Sequence, residues 1–131
     1  MIIVQGISFA SNLKGVAAHP IQLSVDNKLV YSAHVYDHQI SVFHFDTFEN
    51  TYESFNTMFN FINNASMDYG APIFIGEFAG TTVSSNYWQF LMKYLHDAEI
   101  HWGYWSVNSA TAGDGDTHNS GIMSTDWLTV T

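Results

Sequence analysis

At 131 residues the chain has room for one domain, and its apolar fraction of 47% is ample for a core. Twelve acidic residues oppose three basic ones, all lysine, and the formal net charge of -9 at pH 7 excludes nucleic acid and anionic membranes as partners. The lack of arginine argues against phosphate handling. Neutral, hydroxyl-rich ligands fit the aromatic share of 16%, because aromatic rings stack on sugars, but such rings equally suit a core.

The first residues predict a strand. Residues 1–4 are continuously apolar and are followed by Gln5 and Gly6, so we expect a strand that is buried on both faces. The segment lacks the basic region, long apolar stretch and cleavage site of a signal peptide. A chain that opens directly on a buried strand is expected to be a fragment.

A second strand follows a long connection. Residues 7–27 have no clean period and predict at most a turn or two of helix. Residues 29–36 predict the strand, whose alternation places His34 and Tyr36 on the same side. Residues 37–50 predict an aromatic loop.

The period then becomes helical. From Tyr52 onward apolar residues fall at helical spacing, and Gly70 with Pro72 gives a stop signal. Residues 72–76 predict a third, buried strand, which presents Glu77 directly after it. The apolar face of the predicted helix comprises Phe55, Met58, Phe59 and Ile62.

A second helix and a fourth strand complete the pattern. Either Ser84 or Ser85 is expected to cap the helix. Residues 101–108 predict the strand, and residues 109–120 form a loop rich in small polar residues. The apolar face of this helix comprises Tyr87, Leu91, Tyr94, Leu95 and Ala98.

Strands separated by helices predict an α/β fold with parallel pairing. Four such strands cannot close a barrel, but four is half of the eight in a TIM (β/α)8 barrel. In a parallel sheet the carboxyl ends of the strands share one rim, where α/β proteins place their chemistry.

The rim residues predict a sugar-processing site. Glu77 ends a buried strand, where a carboxylate costs solvation free energy unless it is paired or used. The neighbouring strand ends carry His34 with Tyr36, and Trp105 with Asn108. A carboxylate nucleophile, a tyrosine hydroxyl and an indole platform suit glycoside chemistry. The alternative is a glutamate with a purely structural partner.

The same residues carry a family resemblance. Residues 72–78, Pro-Ile-Phe-Ile-Gly-Glu-Phe, resemble the nucleophile strand of glycoside hydrolase family five, the cellulase-like endoglucanases. Residues 29–36 are similar to that family's preceding strand, which usually reads Val-Tyr-Ser-Pro-His-x-Tyr, and residues 102–108 resemble its last strand. Gly-Glu-Phe alone is a weak motif, but the ordered set covers nearly the whole chain. Further similar segments are residues 12–21, 115–117, 121–122 and 126–127.

The resemblance implies a retaining endo-β-1,4-glucanase that hydrolyses O-glycosyl bonds of β-glucan or cello-oligosaccharides, with mannan or xyloglucan as alternative substrates. It implies that residues 1–131 are the carboxyl-terminal half of the catalytic domain, truncated at both ends, with strands five to eight of the barrel. An extracellular location follows from the family. No cofactor is implied.

The resemblance also assigns roles to the rim. Glu77 would be the nucleophile, Tyr36 would hold it, and His34 would contact the sugar next to the scissile bond. Trp105 would stack on that sugar, and Asn108 joins the substrate-binding set.

Departures from the family pattern limit these roles. Ala33 replaces the usual proline, Asp37 and His38 replace Gly-Pro, Gln5 stands where many relatives have glutamate, and Ala79 stands where glycine is usual. The family's acid/base glutamate lies in an Asn-Glu-Pro motif, and no Asn-Glu dipeptide occurs in the 131 residues.

The absence of the acid/base glutamate predicts that the chain alone is inactive or nearly so. Loss of general-acid catalysis lowers the reaction rate by about two to four orders of magnitude. Glu49 and Glu53 are expected at a helix start and Glu99 at the opposite end of its strand, so none is a credible substitute. The alternatives are a non-catalytic carbohydrate-binding remnant, or a half barrel that pairs with the missing half or with a second copy.

No metal site is predicted. His34 and His38 are four residues apart, but on a strand and a loop rather than on a helix. Asp114, Asp116 and Asn119 do not match the spacing of a calcium-binding loop.

Overall fold

The computed structural model describes residues 1–37, 43–64, 69, 71–80, 85–107, 121–124 and 128–130. They form one four-stranded sheet with helices between the strands, in the order β1–β2–β3–β4, and each pair of neighbours is parallel. The predicted α/β class and parallel pairing are confirmed. The elements are β1 (Ile2–Gln5), α1 (Gly15–Ala18), β2 (Leu29–Tyr36), α2 (Phe48–Met58), a 3-10 turn (Asn60–Asn63), β3 (Ile73–Ala79), α3 (Asn86–Asp97) and β4 (His101–Trp102).

One apolar core joins the sheet to α2 and α3. Alternate residues of β2 and β3 are directly paired across the sheet and belong to this core, as the pairing of Ala33 with Ile75 illustrates. The other face of the sheet carries the polar side chains of the site. Among the described helices, none is long and apolar enough to cross a bilayer. Core members from the sheet and the two helices include Tyr31, Val35, Ile75, Phe78, Phe55, Leu91 and Tyr94.

The prediction for β1 is wrong in one respect. The strand forms, but Ile2 and Ile3 are 50% and 49% exposed, although burial on both faces was expected. Within the described part of the chain, β1 is the terminal strand of the sheet and pairs with β2 alone. Val4 is its one residue that packs against the described core.

The helix starts follow capping residues. α2 begins at Phe48 rather than at Tyr52, because the Thr47 side chain accepts a hydrogen bond from the Asn50 N–H at 3.1 Å. α3 is capped by Ser85, whose hydroxyl accepts from the Trp88 N–H at 3.2 Å, as one of the two predicted caps. The predicted apolar faces of both helices are buried, apart from the half-buried Ala98.

The last two strands differ from their predicted lengths. β3 continues to Ala79 instead of ending at residue 76, and β4 is confined to His101–Trp102 instead of residues 101–108. Beyond β4 the backbone still follows β3, because the N–H groups of Gly103 and Trp105 donate to carbonyl groups of β3. The predicted loop at residues 109–120 lies outside the described residues.

A buried tyrosine fixes α3 against the strand that carries the site. The Tyr87 hydroxyl donates to the backbone carbonyl of Val35 at 2.9 Å, one residue before Tyr36. Burial raises the pKa of Tyr87, so its hydroxyl stays a neutral donor. The end of β2 is therefore anchored on the helix side.

Candidate active site

A β-bulge turns Glu77 away from the core. Ala33 of β2 pairs with Ile75 of β3, but the next residue of β2, His34, pairs with Glu77, so Gly76 is an extra residue in β3. In a regular ladder without a bulge, Gly76 would pair with His34, and Glu77 would pair with Val35 on the helix-covered face. The bulge places Glu77 on the same face as His34.

The bulge position requires glycine. A Cβ atom at Gly76 would overlap the Ser32 hydroxyl oxygen and lie 3.2 Å from Nε2 of His34. Ser32 and His34 are themselves buried and packed against this position, so an added Cβ atom would have to displace them. Gly76 thus allows the imidazole to stand beside the carboxylate.

Two donors converge on one carboxylate oxygen. The Tyr36 hydroxyl donates to Oε2 of Glu77 at 2.8 Å, and Nδ1 of His34 lies 3.3 Å from the same atom. The other oxygen, Oε1, has no hydrogen-bond partner among the residues that the structure describes. Within the described residues, the carboxylate is therefore held through Oε2 alone.

His34 is a neutral donor at neutral pH. Burial lowers its pKa, and the Glu77 charge opposes that effect without reversing it. The His34 backbone N–H donates to the Ala10 carbonyl at 3.2 Å, which ties the strand to the turn after β1. On the far side of the ring, the Gln5 side-chain nitrogen lies 3.3 Å from Nε2.

An open cleft of about 470 Å³ adjoins these side chains. Glu77 is the one carboxylate among its lining residues, and its side chain is 29% exposed. The lining residues are Gln5, Gly6, Phe9, Ala10, His34, Tyr36 and Glu77.

Phe9 projects from the rim of this cleft and is 92% exposed. It lies in a turn in which Ser8, Phe9 and Ala10 all have positive φ angles, of 55°, 54° and 61°. Such left-handed conformations cost about 1–3 kcal/mol each in non-glycine residues and concentrate at functional sites. Phe9 was not predicted as a site residue, because a single aromatic residue in an aperiodic segment gives no signal of a site.

Of the two remaining predicted site residues, one lies outside the cleft lining and the other lies outside the described residues. The Trp105 backbone N–H donates to the carbonyl of Phe78, next to Glu77, and its side chain is half exposed, but Trp105 does not line the cleft. Asn108 lies outside the described residues. The structure therefore brings together Glu77, Tyr36 and His34.

No second carboxylate lines the cleft in the described part of the chain. Glu49 and Glu53 lie in α2, and Glu53 lines a different cleft with Lys14. Glu99 follows α3. Across the described residues, no three histidine or acidic side chains are grouped to hold a metal ion.

Comparison with known proteins identifies the family. The family model described as "Cellulase (glycosyl hydrolase family 5)" matches residues 1–111. The chain belongs to glycosyl hydrolase family 5. The family predicted from the sequence is confirmed.

Individual proteins with a similar sequence or structure agree with this assignment. An endoglucanase of Paenibacillus polymyxa is 31% identical over 130 residues, which cover 92% of this chain and 31% of that protein. The structure of a cellulase–inhibitor complex matches with a TM-score of 0.74 and 25% identity, over 99% of this chain and 40% of that one. A hyperthermophilic endocellulase of Pyrococcus horikoshii matches with a TM-score of 0.72 and 25% identity, with the same coverage. The chain thus spans about a third of the length of the curated relative.

Proposed function

We propose that the chain supplies the nucleophile side of the active site of a retaining endo-β-1,4-glucanase, with Glu77 as the nucleophile. The observation that carries this proposal is the convergence of the Tyr36 hydroxyl and the His34 imidazole on Oε2 of Glu77. Two donors fix the carboxylate plane and leave Oε1 as the atom that attacks. Membership of a cellulase family supports the reaction class.

In this mechanism, Oε1 attacks the anomeric carbon as the bond from that carbon to the leaving-group oxygen breaks. A second carboxyl group, roughly 5 Å from the first, protonates the leaving oxygen and later activates water. Tyr36 and His34 keep Glu77 oriented, which matters because correct positioning supplies a large share of the rate. His34 also contacts the sugar next to the scissile bond.

The substrate-binding set is completed by Trp105 and Asn108. The half-exposed Trp105 follows the backbone of β3 beside Glu77, which suits a stacking platform for the same sugar. We propose β-1,4-glucan and cello-oligosaccharides as substrates, because the relatives are named endoglucanase and endocellulase. The protein is proposed to act outside the cell.

We further propose that β1 to β4 correspond to strands five to eight of a TIM barrel, with residues 1–131 as the carboxyl-terminal half of the catalytic domain. The coverage of 31% to 40% of the relatives supports a partial catalytic domain, and the resemblance of residues 102–108 to the family's last strand supports its carboxyl-terminal position. The acid/base glutamate then belongs to a segment other than these residues, and the isolated chain does not hydrolyse cellulose. Cellulose hydrolysis by the purified chain that is abolished in Glu77→Gln would contradict this part of the proposal.

Covalent labelling tests the nucleophile separately from the missing acid. A 2-deoxy-2-fluoro-β-cellobioside with a dinitrophenolate leaving group needs no protonation to depart, so Glu77 can displace it without an acid partner. We expect a mass increase of one fluorocellobiosyl group, mapped to the peptide that contains Glu77.

The matched variants are Glu77→Gln, which should take up no label, and Glu53→Gln, which should label like the unmodified chain. Glu53 is the control because it lies in a different cleft. Label on another residue, or equal labelling of the Glu77→Gln variant, would rule out Glu77 as the nucleophile.

A further inference from the structure

The imidazole of His34 is contacted at both nitrogens. Gln5, the last residue of β1, places its side-chain amide nitrogen 3.3 Å from Nε2 of His34. On the other side, Nδ1 lies 3.3 Å from Oε2 of Glu77. The His34 side chain, only 10% exposed, therefore bridges the strands on either side of β2.

The chemistry of the two partners allows one arrangement of protons. An ionised carboxylate only accepts hydrogen bonds, so Nδ1 must carry a hydrogen to bond Glu77. The amide nitrogen of Gln5 only donates, so Nε2 must present its lone pair. Both contacts are satisfied together by the neutral imidazole with its hydrogen on Nδ1.

We propose that Gln5 is a positioning residue that holds His34 as the neutral Nδ1–H tautomer, so that Glu77 receives a hydrogen bond without an ion pair. The described groups that face His34 are Gln5 from β1, Ser32 and Tyr36 from β2, and Glu77 from β3, of which Glu77 alone is charged. Since an imidazolium would neutralise the carboxylate beside it, the amide at position 5 preserves the nucleophile's charge. Only the statement that Gln5 preserves the charge of the nucleophile depends on the proposed function.

The contrast with a carboxylate at position 5 sharpens the proposal. A glutamate there would place a negative charge beside Nε2, opposite the charge of Glu77. Two flanking carboxylates stabilise the doubly protonated ring, because opposite charges within about 4–6 Å favour the charged form. Gln5→Glu should therefore raise the pKa of His34 and increase the fraction of the ring that is cationic near neutral pH.

Nitrogen-15 NMR of the histidine rings tests this directly. In the unmodified chain at pH 7.5 we expect a pyrrole-type Nδ1 and a pyridine-type Nε2 for His34, with the signals assigned by their loss in His34→Gln. In Gln5→Glu the titration midpoint of His34 should rise by about one unit, a shift at the lower end for such pairs because Gln5 is exposed. In Gln5→Ala the Nδ1–H tautomer loses the contact between its Nε2 lone pair and the Gln5 amide. The population of the Nε2–H tautomer should therefore rise.

Gln22→Glu is the charge-matched control. Gln22 is an exposed residue that lines a different cleft, so the same added charge should leave the His34 midpoint unchanged. A dominant Nε2–H tautomer in the unmodified chain, or an equal midpoint shift in both glutamate variants, would overturn the proposal. These spectra require no sugar, so they stand or fall independently of the covalent labelling of Glu77.

Discussion

At the scale of single residues, the site depends on the two donors that share Oε2 of Glu77. The Tyr36 contact at 2.8 Å is the shorter, and the His34 contact at 3.3 Å is the longer. Hydrogen bonds to a charged group contribute about 1.5–3 kcal/mol each. The hydroxyl of Tyr36 is thus the larger restraint on the orientation of the carboxylate.

Removal of that hydroxyl should slow the labelling reaction. In Tyr36→Phe the carboxylate keeps only the longer contact, so we expect the labelling rate to fall about 10- to 100-fold, in line with the loss of one charged hydrogen bond. The rate is measured by mass spectrometry over time. Tyr52→Phe, which alters a hydroxyl in α2, should label at the unmodified rate, and an equal rate in Tyr36→Phe would show that the hydroxyl does not position Glu77.

The meeting of the strand ends that carry the site could be predicted from the sequence, because parallel strand ends share a rim and alternation places His34 and Tyr36 on the same side. The side on which Glu77 lies could not, because it depends on the bulge in β3. The involvement of Gln5 and Phe9 could not. Gln5 was noticed only as a departure from the family, since its contact with His34 depends on the register between β1 and β2.

At the scale of secondary-structure elements, the bulge in β3 decides where Glu77 points. The sequence predicted a strand that stops before Glu77, whereas the strand continues past it to Ala79. A glycine followed by a charged residue resembles a strand end, and hydrophobic alternation does not distinguish an ending from a bulge. Gly76 was thus recognised as a break, but its function as the extra residue was not.

Gly76→Ala should damage both stability and the site. The added methyl group meets the Ser32 hydroxyl and the His34 ring, and overpacking of this kind costs about 1–3 kcal/mol. We expect a lower midpoint in urea unfolding and slower labelling of Glu77, because His34 must move.

Gly15→Ala is the matched control, because a Cβ atom there meets nothing within 4 Å and Gly15 begins α1. That variant should be as stable as the unmodified chain or more so. A Gly76→Ala variant that unfolds at the unmodified urea concentration would contradict the space requirement inferred for the bulge.

At the scale of the whole molecule, His34 links folding to pH. Burial lowers the pKa of His34 in the folded state below the value of 6.5 in the unfolded state. As the pH falls below 6.5, the unfolded chain therefore binds a proton on His34 more readily than the folded chain does. The stability that the folded chain gains from a neutral His34 is fully present above about pH 6.5 and is lost as the pH falls through the folded-state pKa. The free energy of unfolding then changes by at most about 1.4 kcal/mol per pH unit.

Urea unfolding between pH 7.5 and 5 measures this dependence. We expect the free energy of unfolding to decrease in the acidic part of the range, and His34→Gln to flatten the decrease. His96→Gln, which removes a histidine with an 88% exposed side chain, should retain it. An unchanged slope in His34→Gln would show that other groups dominate the acid response.

The sheet as a whole was predictable because each strand left an apolar run or an alternation in the sequence, and α2 and α3 each left a helical period. The exposure of β1 was not, since a run of apolar residues does not reveal whether its strand is central or terminal. Capping also shifted one boundary: the polar signal of Thr47 lies ahead of the apolar pattern on which α2 was recognised.

The exposed β1 bears on how the chain behaves at high concentration. The strand carries isoleucine on its exposed surface and has no charged residue between Ile2 and Gln5 to discourage edge-to-edge pairing with another chain. Between molecules, the net charge of -9 supplies the repulsion that this edge lacks. Because salt shortens the reach of that repulsion to about 10 Å at 0.1 M and about 3 Å at 1 M, the colloidal stability of the chain is set by ionic strength.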